Sequence, residues 1–165
     1  MSDTTSKETS EKMASKLWTI VAVLVLAILL AVSYKLKDIF QPSVTSTAAL
    51  NESCDLRSAP CTSELPGGGK VSLSINPKDI PILRPLTLNV TIDGVEASSV
   101  EVDFIGIGME MGYNRPKLNA IDKTNFKGEA ILPVCVRSKM DWEARVLLKT
   151  DKGTIMAPFR FFTTK

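Results

Sequence analysis

Two hydrophobic patterns divide the chain. Residues 17–34 contain no charged residue, and a helix of that length is about 27 Å long, which is close to the ~30 Å hydrocarbon thickness of a bilayer. From Lys70 onward, apolar and polar residues alternate instead, and this is the period of a half-buried strand. The two patterns predict a membrane-spanning helix followed by a β-rich domain.

The alternation is clearest in residues 71–75, 86–92 and 100–104, where large apolar side chains occupy every second position. Three further strands are predicted over residues 126–136, 142–150 and 154–163. Short strands at this spacing, with almost no helical period, indicate a mainly β fold, namely an immunoglobulin-like β-sandwich of about seven strands. The predicted core consists of Val71, Leu73, Leu88, Val90, Val102, Phe104, Leu132, Val134, Trp142, Val146, Phe159 and Phe161.

Composition divides the chain into four segments. Residues 1–16 are rich in Ser, Thr, Lys and Glu, and are predicted to be a disordered cytoplasmic tail. Residues 17–34 form the transmembrane helix. Residues 35–69, which are mostly small and polar and end in three glycines, are expected to be an extracytoplasmic tether. Residues 70–165 form the β-sandwich domain.

The distribution of lysines and cysteines sets the expected orientation. Three lysines precede the span and two follow it closely, so the positive-inside rule leans towards a cytoplasmic N-terminus. All three cysteines follow the span, as expected if that side faces an oxidising compartment. We therefore predict a single-pass protein of the inner (cytoplasmic) membrane with a periplasmic or otherwise extracytoplasmic C-terminal domain. Residues 31–33 also fit a signal-peptidase site, so a cleaved leader is the alternative.

Charge and the absence of histidine narrow the possible functions. The chain has 20 Lys and Arg against 18 Asp and Glu, a formal net charge of +2, which gives no basic surface for nucleic acid. It contains no histidine, the usual base of Ser-His-Asp and Cys-His sites and the commonest ligand of zinc. We therefore expect no enzyme and no catalytic residue.

The alternation changes parity after Phe104. Up to Phe104 the apolar residues occupy even-numbered positions. From Ile105 to Met111 the large apolar residues occupy odd-numbered positions instead, and the last two of them are Met109 and Met111. A glycine bulge at Gly106 or Gly108 would return both methionines to the core. Without a bulge, they would stand together on the outer face of the strand.

The two methionines are candidate metal ligands. On a strand, residues at i and i+2 project to the same side roughly 7 Å apart, so that two flexible thioethers can converge on one ion. Neutral thioethers suit Cu(I). The candidate ligands are Met109 and Met111, with Cys135, Met140 and Met156 as further soft donors. Simple packing in the core is the alternative role for a methionine pair.

The three cysteines allow three single disulfides. Cys54 and Cys61 enclose a short loop, and we favour this pair. A disulfide from either of them to Cys135 would instead join the tether to the domain. With the favoured pair, Cys135 is either an inert buried thiol or a soft ligand beside the methionines.

Tyr113, Asn114 and Arg115 follow the methionines in a predicted loop. Because Tyr and Arg are enriched at contact sites, these three are candidate partner-binding residues for a membrane protein, and an ordinary solvated loop is the alternative.

Glu101 and Asp103 share one strand face and could form an acid pair. Alternating charges on the solvent side of a strand, however, need no such role.

The anchor, the small β domain and the segment VDFIGIGMEMGYNRP resemble the YtkA-like and FixH-like proteins. The resemblance covers the anchor and residues 70–164, and its specific part is Met109, Met111 and Gly112. It implies a role in copper handling or in the assembly of a haem-copper respiratory oxidase (cytochrome oxidase) in a cell envelope. This chain departs from better-defined periplasmic copper chaperones because it has no histidine for a His-plus-Met ligand set.

Together, these features predict a membrane-anchored cell-envelope accessory protein with transient Cu(I) binding by a Met-x-Met strand. Its expected partner is a membrane protein complex such as a respiratory oxidase. We do not expect it to bind nucleic acid. The alternative is a metal-free β-sandwich interaction module, or an accessory subunit of a membrane complex, that uses the same loop for docking.

Overall fold

The computed structural model describes the backbone of residues 4–40, 43–134 and 137–164 and the side chains of residues 16–35, 43–134 and 137–164. The chain divides into two compact units, Met1–Pro42 and Ser43–Lys165. Its described elements are α1 (Thr4–Phe40), β1 (Val44–Thr47), β2 (Cys61–Glu64), β3 (Lys70–Asn76), β4 (Pro85–Asp93), β5 (Ser99–Gly106), β6 (Lys117–Ala120), β7 (Asn125–Ile131), β8 (Lys139–Thr150) and β9 (Gly153–Thr164).

Helix α1 contains a segment, Lys16–Lys35, that is long and apolar enough to cross a membrane. Its large side chains are exposed, including Trp18 at 75% and Tyr34 at 73%, as suits a helix solvated by lipid. The helix begins at Thr4, inside the segment predicted to be disordered. Lys, Glu, Met and Ala in that segment are good helix formers, so the helix extends beyond the apolar run.

The nine strands form one hydrogen-bonded sheet in the order β1-β9-β8-β5-β6-β7-β4-β3-β2. β1 pairs with β9 in parallel, and the other neighbours are antiparallel. Strands from both halves of this order share one apolar core, so the sheet curls over itself. The Ser63 hydroxyl in β2 donates to the Ala49 carbonyl just after β1, which brings the two edges together. The prediction of a mainly β domain is confirmed, and the immunoglobulin-like sandwich stays a prediction.

Eleven of the twelve predicted core residues are buried, and Val134 is wrong because it is 50% exposed. The strand predicted over residues 126–136 ends at Ile131. Proline has no N–H to donate to a sheet, so Pro133 does not continue the ladder. The Leu132 carbonyl instead accepts a hydrogen bond from the Leu83 amide at 2.9 Å.

Residues 43–69, predicted to be part of a tether, belong to the β-rich unit. They supply β1 and β2, the two edge strands of the sheet. These two strands are short and are held mainly by backbone hydrogen bonds to their neighbours. Few of their side chains are buried, so their sequences do not show the long apolar alternation of β3 and β4. Leu56 and Leu65, which are 0% and 5% exposed, join this segment to the core.

The favoured disulfide is confirmed. Cys54 and Cys61 are joined, with their Cα atoms 5.7 Å apart. The enclosed loop is held on the sheet by the buried Leu56 and by Arg57, whose guanidinium lies 4.7 Å from the ring centroid of Phe162. Cys135 lies outside the described residues.

Asp122 organises the turn between β6 and β7. One of its carboxylate oxygens accepts the backbone N–H groups of Thr124 and Asn125, both at 2.8 Å, and the other accepts the Asn125 side-chain amide at 2.9 Å. These donors favour the charged carboxylate, with the Asn125 side chain as the largest cause, and lower the pKa of Asp122 from 3.8 to about 2.

We expect the stabilisation from Asp122 to be complete above its unfolded pKa of 3.8 and to be lost as the pH falls through about 2, because the folded pKa is the lower one. A ¹³C NMR titration of the Asp122 carboxyl carbon should have its midpoint near pH 2, and Asn125→Ala should raise that midpoint. A midpoint near 3.8 in the unchanged protein would contradict the hydrogen-bonded turn.

Candidate functional site in the loop after strand β5

Strand β5 ends at Gly106, and the loop that follows it, loop 107–116, is the candidate functional site. Up to Phe104 the strand has the predicted parity, with Val102 and Phe104 both fully buried. The chain then turns, and Gly108 has a φ of 76°, a conformation that glycine adopts readily. The predicted Met-x-Met strand is therefore wrong, because Met109 and Met111 lie in this loop.

Gly106 allows the loop to fold back at the end of the strand. A Cβ atom on this residue would lie 2.6 Å from the Met109 carbonyl oxygen and 2.8 Å from Met111 Cγ, and closer still to Met140 Cε. The loop therefore folds back across Gly106, where a side chain would collide with it. The Ile107 amide donates to the Asp141 carbonyl at 2.9 Å, which fixes the start of the loop on β8.

The methionines of the loop are half-buried and pack against the edge of the core. Neither predicted placement applies, because they lie neither on the inner face of a bulged strand nor on the outer face of a regular one. Met140, by contrast, is 3% exposed. Met111 and Met140 therefore share the space in front of Gly106.

One further candidate ligand, Met156, is not brought to this place. Met156 lies opposite Leu147 on β8, whereas Gly106 lies opposite Trp142. Leu147 is five residues beyond Trp142, which is a distance of ~17 Å along the strand. Cys135 lies outside the described residues.

Backbone hydrogen bonds fix the second half of the loop along β5. The Phe104 amide donates to the Asn114 carbonyl at 2.9 Å, and the Val102 amide donates to the Pro116 carbonyl at 3.1 Å. The Asn114 side-chain amide also donates to the Ile131 carbonyl at 3.0 Å. The loop is therefore held at both ends by the sheet.

A buried ion pair adds a further anchor. Arg115 Nη2 donates to Asp103 Oδ2 at 3.1 Å, and the two side chains are only 6% and 12% exposed. The Arg115 guanidinium also lies 5.2 Å from the ring centroid of Tyr113. A carboxylate held in this way anchors the loop, and Asp103 thus has a structural role that needs no acid pair with Glu101.

The outer side of the loop borders a cleft of about 480 Å³. Tyr113, Asn114 and Arg115, the predicted partner-binding residues, line it together with Pro85 and Ile131. Tyr113 is 57% exposed and Ile131 is 53% exposed. Sequence reasoning missed Pro85 and Ile131, although an isoleucine at an outward position of β7 was a signal available for Ile131.

A second cleft, of about 490 Å³, adjoins the loop at Ile107. The charged residues that line it are Glu52, Asp55, Asp141 and Arg160, so carboxylates outnumber guanidinium groups three to one. Arg57 and Lys139, however, lie over the ring of Phe162, which also lines this cleft, so the charges around it nearly balance. Among the described residues, no group of three or more Cys, Asp or Glu side chains is arranged to hold a metal ion.

Removal of Asp103 should destabilise the domain strongly, because it takes a carboxylate away from the buried charge of Arg115. We expect Asp103→Ala to lower the free energy of unfolding by about 3–5 kcal/mol. Asp141→Ala is the control, since Asp141 pairs with Lys139 at 3.8 Å with both side chains more than half exposed, and its expected cost is below about 1 kcal/mol.

Urea unfolding of the full chain in detergent, followed by Trp142 fluorescence in a Trp18→Phe background, measures both costs. Equal costs for the two substitutions would contradict the anchoring role of Asp103.

No protein-family model matches this chain, and no curated protein or solved structure is significantly similar to it. The side chains of loop 107–116 and their surroundings, with the resemblance described above, are therefore the basis on which a function can be proposed.

Proposed function

We propose that this chain is a membrane-anchored accessory protein of the cell envelope that binds Cu(I) transiently at loop 107–116, with Met109 and Met111 as ligands. The observation that carries the proposal is the position of these two methionines, which are half-buried in a loop that the sheet holds at both ends. Thioether sulfur prefers Cu(I) to harder metal ions. The resemblance to YtkA-like and FixH-like proteins points to the same ion.

The partial exposure of the methionines suits transfer of an ion. A partner can approach a half-exposed thioether, whereas a fully buried one would first need the fold to open. The hydrogen bond of the Ile107 amide and the ion pair of Arg115 limit how far the loop can spread, so the ligands need little ordering when the ion binds.

The proposal places the N-terminus in the cytoplasm and the β domain outside it. Helix α1 contains a segment apolar enough to span the membrane, and the Cys54–Cys61 disulfide suits an oxidising compartment. In the proposed sandwich, β6 connects the two layers, since it is hydrogen-bonded to β5 on one side and to β7 on the other. The receiver of the ion that the resemblance implies is a subunit of a haem-copper respiratory oxidase.

The second candidate function is metal-free docking on an apolar, extracytoplasmic segment of a membrane protein. The observation that favours it is the cleft in which the exposed side chains of Tyr113 and Ile131 stand beside Pro85. Aromatic and aliphatic groups of this kind anchor protein interfaces. In this case the methionines support the loop and bind nothing.

Cu(I) binding tests the leading proposal. In an anaerobic competition titration of the detergent-solubilised full chain, we expect one Cu(I) per chain, and at least about tenfold weaker binding after Met109→Leu with Met111→Leu, a loss of ~1.4 kcal/mol. Leucine keeps the volume and apolarity of methionine, so the fold should survive. Ascorbate as reductant keeps Cys54 and Cys61 joined.

Met156→Leu is the matched control, because this half-buried methionine lies far from the loop. It should leave the affinity unchanged. Absence of stoichiometric binding, or equal binding by the double variant, would overturn the copper proposal and leave the docking function.

A further inference from the structure

Two methionines from distant parts of the chain meet in front of Gly106. Met111 belongs to loop 107–116, whereas Met140 belongs to β8. The Cγ atom of Met111 lies 2.8 Å from the position that a Cβ on Gly106 would occupy, and the Cε atom of Met140 lies closer. Both atoms are bonded directly to sulfur, so both thioethers border the same small space.

The register of β8 determines this meeting. Trp142 is opposite Gly106, the last residue of β5, so β8 runs on past the end of its neighbour. Met140 is two residues earlier and therefore on the same, inner face, where it is 3% exposed. With β5 ended, loop 107–116 is the segment that reaches Met140 on that side.

The arrangement differs from ordinary packing in one respect. Gly106 has no side chain, and the groups packed against it are the Met109 backbone carbonyl and two flexible methionine side chains rather than a branched apolar residue. Methionine has three rotatable side-chain bonds and a polarizable sulfur, so small rotations can direct both sulfurs to one point. Cu(I) is the ion that such neutral, soft donors select.

We infer that Met140 supplies a third thioether, which joins the proposed ligands Met109 and Met111 in one three-sulfur Cu(I) site in front of Gly106. The backbone carbonyl of Met109 already lies there. This inference rests on the proposed function. Met140 closes the site from the core side, and the two half-buried methionines of the loop open it to solvent. The ion therefore enters and leaves past the loop, and Met140 remains in place.

A comparison of Met140→Leu with Met156→Leu tests the inference in the full chain in detergent. Both changes replace a methionine of the β domain by an apolar residue of similar volume, but Met156 is ~17 Å along the sheet from the site. A Cys135→Ser background removes the thiol as a source of sulfur. We expect at least about tenfold weaker Cu(I) binding for Met140→Leu and no change for Met156→Leu.

X-ray absorption at the copper edge gives a second readout that packing alone would not change. Three sulfur ligands are expected in the Cys135→Ser protein and two after Met140→Leu. The count of three needs no methionine variant, so it tests the inference even if Met140→Leu does not fold.

Unchanged affinity and sulfur count in Met140→Leu would overturn the third ligand and leave the proposed function intact. Fewer than three sulfurs in the Cys135→Ser protein, or loss of all binding in that background while the unchanged chain still binds, would also overturn it. Absence of Cu(I) binding by the unchanged chain would overturn the proposed function and the inference together.

Discussion

The burial of alternate side chains on one face of a continuous sheet is the constraint on which this domain depends. Successive residues of a strand point to opposite faces, so every apolar inward position needs cover. The sheet provides that cover by curling, and Phe104 and Trp142 are the largest side chains fully enclosed by it. Since β5 stops at Gly106 and β8 continues, the inner face of β8 needs cover there from another segment. Loop 107–116 supplies that cover.

The loop is positioned chiefly by polar interactions. Its backbone bonds to β5, and Arg115 reaches the buried Asp103. Removing two charges from water is costly, so a buried ion pair adds little net stability. We infer that this pair instead helps to select one path of the loop across the sheet. On β8, Glu143, which is 9% exposed, pairs with Arg145 at 2.8 Å and with Arg160 at 3.3 Å. The ion pair between Glu143 and Arg160 thus joins β8 and β9 near the loop.

Local patterns predicted much of this fold. The alternation in residues 71–75 and 86–92 identified β3 and β4 because each strand has one buried face, and the short spacing of Cys54 and Cys61 identified the disulfide. The parity change after Phe104 correctly marked a break in β5. It could not distinguish a bulge from the end of the strand, because the outcome depends on the approach of the Met109 carbonyl to Gly106, which is a contact made only in the folded chain.

The remaining differences have a similar origin. Strand β1 is short and polar, and backbone pairing with β9 holds it in place. Since it does not depend on a buried apolar face, its sequence shows no hydrophobic period. Met140 has the inward parity of Trp142, so its burial could be predicted. Its meeting with Met111 could not, since that depends on how far β8 extends beyond β5. The candidate site is thus a product of strand pairing as much as of sequence motif.

We propose that Cu(I) binds in front of Gly106, where the side chains of Met111 and Met140 meet, with Met109 as the remaining ligand. The most direct measurement is NMR of the ε-methyl groups of the six methionines, in the full chain in detergent, as one equivalent of Cu(I) is added without oxygen. We expect the signals of Met109, Met111 and Met140 to shift together and to saturate at one equivalent, while those of Met13 and Met156 stay in place. Signals that do not move, or equal shifts at Met156, would contradict the proposal.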